Sequence, residues 1–316
     1  MVRIGIDLGG TNIAVGVVDE QHNIIARAGT KTALPRPAEA IMEDMARTAE
    51  EAVERAGLTW DEVSVIGIGT PGLCNAATGV VEYASNLGFR HVAMKEWMEA
   101  RLHKTTFVEN DASAAAFGEY IAGAGQEADS CICITLGTGV GGGMIHNGRL
   151  FNGFGKYGAE LGHIVIEQDG IPCGCGRKGC WECYASATAL VRQTKEAMAQ
   201  NRSSLLWKLV PNTDGVNGHT AFIAAAKGDQ TAKAVVEHYI DNICVGLADI
   251  VNIFQPEVIC IGGGISREKN GLMDKVETAF RKHLGNGAAS CRTKVVAAKL
   301  ANDAGIIGAA FLDTAR

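Results

Sequence analysis

The sequence predicts an α/β fold in two lobes, and three observations carry that prediction. The chain has 316 residues, more than a single core comfortably organises and enough for two domains of ordinary size with a cleft between them. Strand-like alternation and helical spacing take turns along both halves, as in α/β proteins. A strand, glycine turn, strand unit heads the chain and returns after Ser130. An offset of 128 residues lays Ile4, Ile6, Leu8 and Gly9 over Ile132, Ile134, Leu136 and Gly137.

Val2–Leu8, Thr11–Asp19 and Ile24–Thr32 alternate apolar and polar residues around Gly9–Gly10 and the polar 20–23, which predicts a three-stranded meander. Ile41, Met45, Ala49, Ala52, Val53 and Ala56 fall at helical spacing, and Gly57 is placed to stop that helix. A buried strand is expected at 63–69, ended by Thr70-Pro71-Gly72, and an irregular stretch runs on to about Phe89. A helix at 94–103, a strand at 105–109 and a small-residue helix at 112–122 complete the first half. The second half predicts strands at 131–136 and 140–146, a Gly/Cys-rich insertion at 151–183 and helices between about 184 and 254. A strand at 258–262, a helix around 271–284, a strand at 294–297 and a last helix at 304–315 follow.

The composition is 47% hydrophobic and 20% charged with six prolines, which describes a compact protein able to bury a large core. Net charge is −6 with the two signs interleaved and no basic cluster, so nucleic acid is not an expected partner. The sequence opens on a strand pattern without a signal-peptide layout, and its apolar runs fall short of the ~20 residues of a membrane span. A cytoplasmic protein with no membrane partner is the expectation. Cys74, Cys131, Cys133, Cys244, Cys260 and Cys291 are dispersed and read as core or incidental thiols rather than disulfide partners.

Asp7-Leu8-Gly9-Gly10-Thr11-Asn12 sets an acid at the end of one strand and a hydroxyl at the start of the next. Backbone N–H groups in a glycine turn can approach a phosphate closely, Thr11 can donate to it, and Asp7 can hold Mg²⁺ through water. A plain hairpin turn with a solvated acid would show the same residues. The second run, Gly137-Thr138-Gly139-Val140-Gly141-Gly142-Gly143, makes that plain reading hold twice at equivalent positions. Neither run fits a G-x-x-x-x-G-K-[ST] loop or a G-x-G-x-x-G dinucleotide turn. A third, Gly262-Gly263-Gly264, follows a strand and suits an adenosine moiety.

Asn110-Asp111 ends a strand and opens a helix. Asp111 can be read as an N-cap, but an amide beside a carboxylate at the mouth of a sheet also offers paired donor and acceptor groups to vicinal hydroxyls. Gly158-Ala159-Glu160-Leu161-Gly162-His163 precedes Cys173-Gly174-Cys175 and Cys180. Three thiols within eight residues can wrap a tetrahedral Zn²⁺, with His163 or Cys183 as the fourth ligand. With four protein ligands such an ion would order a loop rather than activate water.

These motifs together resemble the ROK kinases (repressors, open reading frames, kinases), most closely their bacterial glucokinase branch. D-x-G-G-T at 7–11, T-P-G at 70–72, E-N-D-A at 109–112, L-G-T-G-x-G-G-G at 136–143, E-x-G-H at 160–163, C-x-C-G-x-x-G-C-x-E at 173–182, G-G-G-I at 262–265 and N-D-A-G at 302–305 carry the likeness over essentially the whole chain. Gly88-Phe89-Arg90-His91 departs from the N-L-x-x-W pattern of many members. The resemblance implies an actin-like (ribonuclease H-like), duplicated two-lobed α/β kinase fold with a structural zinc loop at 160–183. The small lobe would comprise 1–113 plus about 303–316, and the large lobe 114–302.

It further implies ATP-dependent phosphorylation of a hexose, glucose first. The alternatives are another hexose, an N-acetylhexosamine such as N-acetylmannosamine or N-acetylglucosamine, or a catalytically weak sugar sensor. Asp111 would be the catalytic base, and Gly72, Asn110, Asp111, Glu160, His163 and Glu182 would meet the sugar. Asp7, Gly9, Gly10, Thr11, Asn12, Gly137, Thr138, Gly139, Gly263 and Gly264 would hold Mg²⁺ and ATP. His163, Cys173, Cys175 and Cys180 would bind Zn²⁺. A homodimer or homotetramer is implied as well.

Overall fold

The computed structural model describes residues 1–268 and 271–315. Its contacts divide it into two units, the first made of Met1–Cys133, Gly142–Ala159 and the chain from Ala298 onward, the second of Ile134–Gly141 and Glu160–Ala297. The first unit thus runs past the boundary at 113 expected from the sequence. The reason is a helix pair within it, Asp111–Ala122 against Asp303–Ala310.

In the first unit β1 (Val2–Leu8), β2 (Asn12–Val18) and β3 (Ile24–Lys31) form the expected meander, and α1 (Ala38–Arg55) follows. Helix α1 buries Ile41, Met45, Ala49, Ala52 and Val53, one apolar stripe at i, i+4 spacing. Gly57, at φ +69°, closes it: the N–H groups of Gly57 and Leu58 donate to the Glu54 and Val53 carbonyls, a paired C-terminal closure that requires a left-handed residue.

Strand β4 (Val63–Thr70) leads to a feature the sequence did not announce. Instead of an irregular stretch, 73–92 contains β5 (Leu73–Asn75), β6 (Val80–Ala84) and β7 (Phe89–Val92), an antiparallel three-stranded sheet. Each strand is too short for a clear alternation to show. Helix α2 (Met94–Leu102), β8 (Thr106–Asn110) and α3 (Asp111–Ala122) complete this part.

The first sheet has the order β3-β2-β1-β4-β8, with β1, β4 and β8 parallel and β2 and β3 antiparallel. β9 (Ser130–Leu136), β10 (Val140–His146) and β11 (Arg149–Leu150) come next in the chain.

The second unit holds the short α4 (Glu182–Ala185), α5 (Ala187–Gln200), α6 (Leu206–Leu209), α7 (Thr220–Ala226) and the 25-residue α8 (Gln230–Phe254). β12 (Val258–Gly262), α9 (Leu272–His283) and β13 (Lys294–Ala297) follow. The second sheet has the order β11-β10-β9-β12-β13, with an antiparallel pair at one edge and a parallel pair at the other. Among the described residues no helix is long and apolar enough to cross a membrane.

The last helix, α10 (Asp303–Ala310), belongs to the first unit and is shorter than expected, the chain turning after Ala310. Residues Ala304 to Ala310 are all buried, as a helix apolar on every side must be. It packs backbone to backbone: a Cβ on Gly5 or Gly67 would collide with the Ile306 or Ala309 carbonyl, and one on Gly118 or Gly308 would collide across the α3–α10 contact. This contact is why α3 groups with the first unit.

Candidate active site

In the first unit the end of β8 and the start of α3 carry the chemistry. Asn110 caps α3: its Oδ1 accepts the Ala112 and Ser113 N–H groups at 2.9 and 3.2 Å. The sequence left the cap open to Asp111, and the structure gives it to Asn110. The same amide donates through Nδ2 to the Gly72 carbonyl at 3.1 Å, so the Thr70-Pro71-Gly72 loop is tied to the helix start. Gly72 sits at φ +96° and leaves no room for a Cβ beside the Tyr83 and Ala84 backbone.

Relieved of capping, Asp111 is half-buried at the start of the helix. Desolvation raises its carboxyl above the ordinary carboxylate range, against the Ala112 N–H that Oδ1 accepts at 2.8 Å. Asp7, at the end of β1, is pushed up to about 6, first by burial and then by the Asp111 charge. Two carboxyl groups are therefore brought together here, and a glycine of α10, Gly305, lies against one of them: a Cβ there would be 3.0 Å from the Asp7 carboxyl carbon. Glu109, buried beneath, takes the Asn110 N–H at 2.9 Å and the Asn152 amide at 2.6 Å. The sequence reading did not find that support.

The turn of the first motif is closed by Gly9 N–H donating to Asn12 O at 2.9 Å, and Thr32 Oγ1 donates to Gly9 O at 2.6 Å. Asn12 Oδ1 accepts from Lys31, and Thr11 is exposed. Gly10 faces the Asn86 amide, 3.7 Å from where a Cβ would stand.

In the second unit, Gly137 N–H donates to Gly139 O at 3.0 Å, closing the equivalent turn. It is buttressed from behind: Ala187 N–H donates to Gly137 O, Thr188 Oγ1 to Thr138 O at 2.7 Å, and Glu182 Oε2 accepts the Val140 N–H at 3.0 Å. The Glu182 carboxylate occupies the space a Cβ on Gly139 would need. Gly263, at φ +89°, lies against the Leu136 backbone with no room for a side chain, while Gly264 faces open space.

His163 ends a short turn whose N–H donates to Glu160 O at 3.0 Å, and Glu160 itself is exposed. The loop that follows folds back through bridges Val165 to Cys180 and Pro172 to Lys178. One ligand atom each from His163, Cys173, Cys175 and Cys180 lie within 4.8 Å of one another. Bonds of about 2.3 Å to a tetrahedral ion separate two sulfurs by about 3.8 Å. Here Cys175 and Cys180 Sγ are 3.6 Å apart, and Cys173 Sγ is 3.7 Å from His163 Nδ1. Three thiols this close can all ionise only around a cation, so the donor set fits one. Cys183 points its thiol to the Pro172 carbonyl at 3.7 Å and stands outside the group. Trp181, fully buried, pins the loop by donating Nε1–H to Asn242 O at 2.8 Å, with its ring against Gly246 of α8. Only its place between a ligand and Glu182 could have suggested that role from sequence.

The ROK family matches this chain over residues 3–316. A glucokinase from Streptomyces coelicolor is 40% identical over 314 residues, 98% of this chain and 97% of that protein. A glucokinase from Thermotoga maritima is 36% identical over 98% of this chain and 96% of its own length. The crystal structure of a ROK family glucokinase from Streptomyces griseus in complex with glucose and AMPPNP aligns with a TM-score of 0.84 at 39% identity, covering 99% of each chain. With that agreement in sequence and in the actin-like α/β architecture, the chain belongs to the ROK family.

Proposed function

We propose that the protein is an ATP-dependent hexose kinase that transfers the γ-phosphate to the 6-hydroxyl of D-glucose. The observation that carries this is Asp111: a half-buried residue whose carboxyl is raised above its ordinary range by desolvation, excused from helix capping by Asn110 and set beside a second carboxyl, Asp7. A carboxylate whose basicity is raised by its surroundings is what abstraction of a hydroxyl proton needs. The relatives' glucokinase activity supports glucose as the sugar.

Asp111 takes the proton from the attacking hydroxyl. In the first unit Asn110 and the Gly72 loop are the groups to orient the sugar; in the second, Glu160, His163 and Glu182 are the candidates for sugar contact. Asp7 is the residue to hold Mg²⁺ through water, and that ion offsets charge on the phosphates. The Gly9 and Gly137 N–H groups close their own turns, and the other backbone N–H groups of the turns at 9–10 and 137–139 would meet phosphate oxygens, while Gly263–Gly264 suits the adenosine. His163, Cys173, Cys175 and Cys180 would hold Zn²⁺, which supplies order to the loop and takes no part in phosphate chemistry. With Nδ1 facing the sulfurs, His163 keeps Nε2 for a sugar hydroxyl.

A cytoplasmic homo-oligomer, dimer or tetramer, completes the reading. Coupled ADP release with glucose, mannose, N-acetylglucosamine, N-acetylmannosamine, allose and fructose tests it. Glucose is expected to give the highest kcat/KM, and hexose-independent ATP hydrolysis at a matching rate would contradict a kinase.

A further inference from the structure

We infer that Glu119 is a positioning residue for phosphoryl transfer, tying the far end of α3 to the chain that enters α10 and so holding Gly305 in its place against the Asp7 carboxyl. The inference rests on the kinase reading and adds to it a group remote from substrate.

Glu119 is 3% exposed and sits in the last full turn of α3. Its carboxylate accepts three backbone N–H groups: Ala124 at 2.9 Å, Lys299 at 3.0 Å and Leu300 at 2.7 Å. The room for it comes from Gly123, where a Cβ would collide with Oε2. Charge-assisted bonds of this kind are short and strong, and a buried anion so fully bonded holds its place.

What it holds are the ends of two helices. Asp111 begins α3 eight residues earlier, about 12 Å away along the axis. Lys299 and Leu300 enter α10, whose first turn contains Gly305, the residue against the Asp7 carboxyl. The two helices meet backbone against backbone at Gly118 and Gly308. Polar ties near the start of α10 add to that packing in fixing how the two helices run past one another. Glu119 supplies one, and Arg27 supplies another at the surface, pairing with Asp303 at 2.6 and 2.7 Å. Asn110 and the Gly72 loop are fixed by their own bonds at the opposite end of α3, so a shift of α10 moves Gly305 relative to the Asp7 side chain and leaves sugar recognition in place.

Glu119→Gln is the test, because its amide presents an NH₂ group to N–H donors and can satisfy only part of the set. The expected result is a kcat lowered 10- to 100-fold per folded molecule, as a displacement of about 1 Å can do. Glucose KM and the glucose dissociation constant measured calorimetrically should stay within about threefold. A kcat within twofold of the wild type overturns the inference, and so does a parallel loss of glucose binding, which would mean general loosening. If Glu119→Gln does not fold, Glu119→Asp, which keeps the charge on a shorter arm, is read by the same split. No hexose-dependent ADP release from the wild type would instead sink the kinase reading itself and this inference with it.

Discussion

Asp7 and Asp111 lie close enough that the Asp111 charge adds to burial in pushing the Asp7 carboxyl up to about 6. A carboxyl raised from its ordinary 3.8 binds more protons in the folded state. Its contribution is therefore best below pH 4 and is lost as pH rises through 6. Without Mg²⁺ or nucleotide, Asp7→Asn should unfold later than the wild type at pH 7, by up to roughly 2–3 kcal/mol, and the gain should vanish by pH 4. Chemical denaturation at the two pH values reads this directly, and an equal difference at both would contradict it.

Removing a metal ligand should be felt on the sugar side. Cys175→Ser is expected to lose the metal and to raise KM for glucose far more than KM for ATP, with some fall in kcat. Since Cys183 turns to Pro172 O, metal analysis should find a full equivalent in Cys183→Ala and a deficit in His163→Ala. The reverse pattern would move the fourth ligand to Cys183.

Asn110 has two jobs that substitution can separate. Asn110→Ala removes the α3 cap, about 1 kcal/mol by comparison with other caps, together with the donor to Gly72 O. Asn110→Ser restores a capping oxygen without reaching Gly72. Serine should recover most of the stability and little of the glucose KM, and recovery of both would mean the Gly72 tie is unimportant.

Two glycines should respond in opposite ways to alanine. At Gly308 a Cβ runs into the Ala114 backbone, whereas at Gly264 it meets open space. Urea denaturation should show Gly308→Ala destabilised by about 2 kcal/mol or more and Gly264→Ala little changed. Similar midpoints for the two would contradict the close α3–α10 contact.

Much of this was legible from residues that act over short spans. The meander around Gly9–Gly10, the stop at Gly57 and the thiols spaced by glycines are local patterns, and local patterns survive in a single sequence. The sheet at 73–92 was not legible, because strands of three to five residues give too few alternations. Asn110 as the cap was hidden by an adjacent Asp equally able to cap. Glu119 was hidden more thoroughly: a lone acid in a helix reads as an exposed position, and its partners Lys299 and Leu300 lie 180 and 181 residues away. Trp181 likewise shows its purpose only once α8 is folded against it.

The central claim is that Asp111 takes the hydroxyl proton. Asp111→Asn keeps the shape of the carboxyl and removes the base, so glucose binding, followed by calorimetry, should stay within a few-fold of the wild type. At the same time kcat for glucose-dependent ADP release should fall by several orders of magnitude, roughly the 10²–10⁴ of general-base catalysis. A variant that binds glucose normally and retains a tenth of the wild-type kcat would contradict the account.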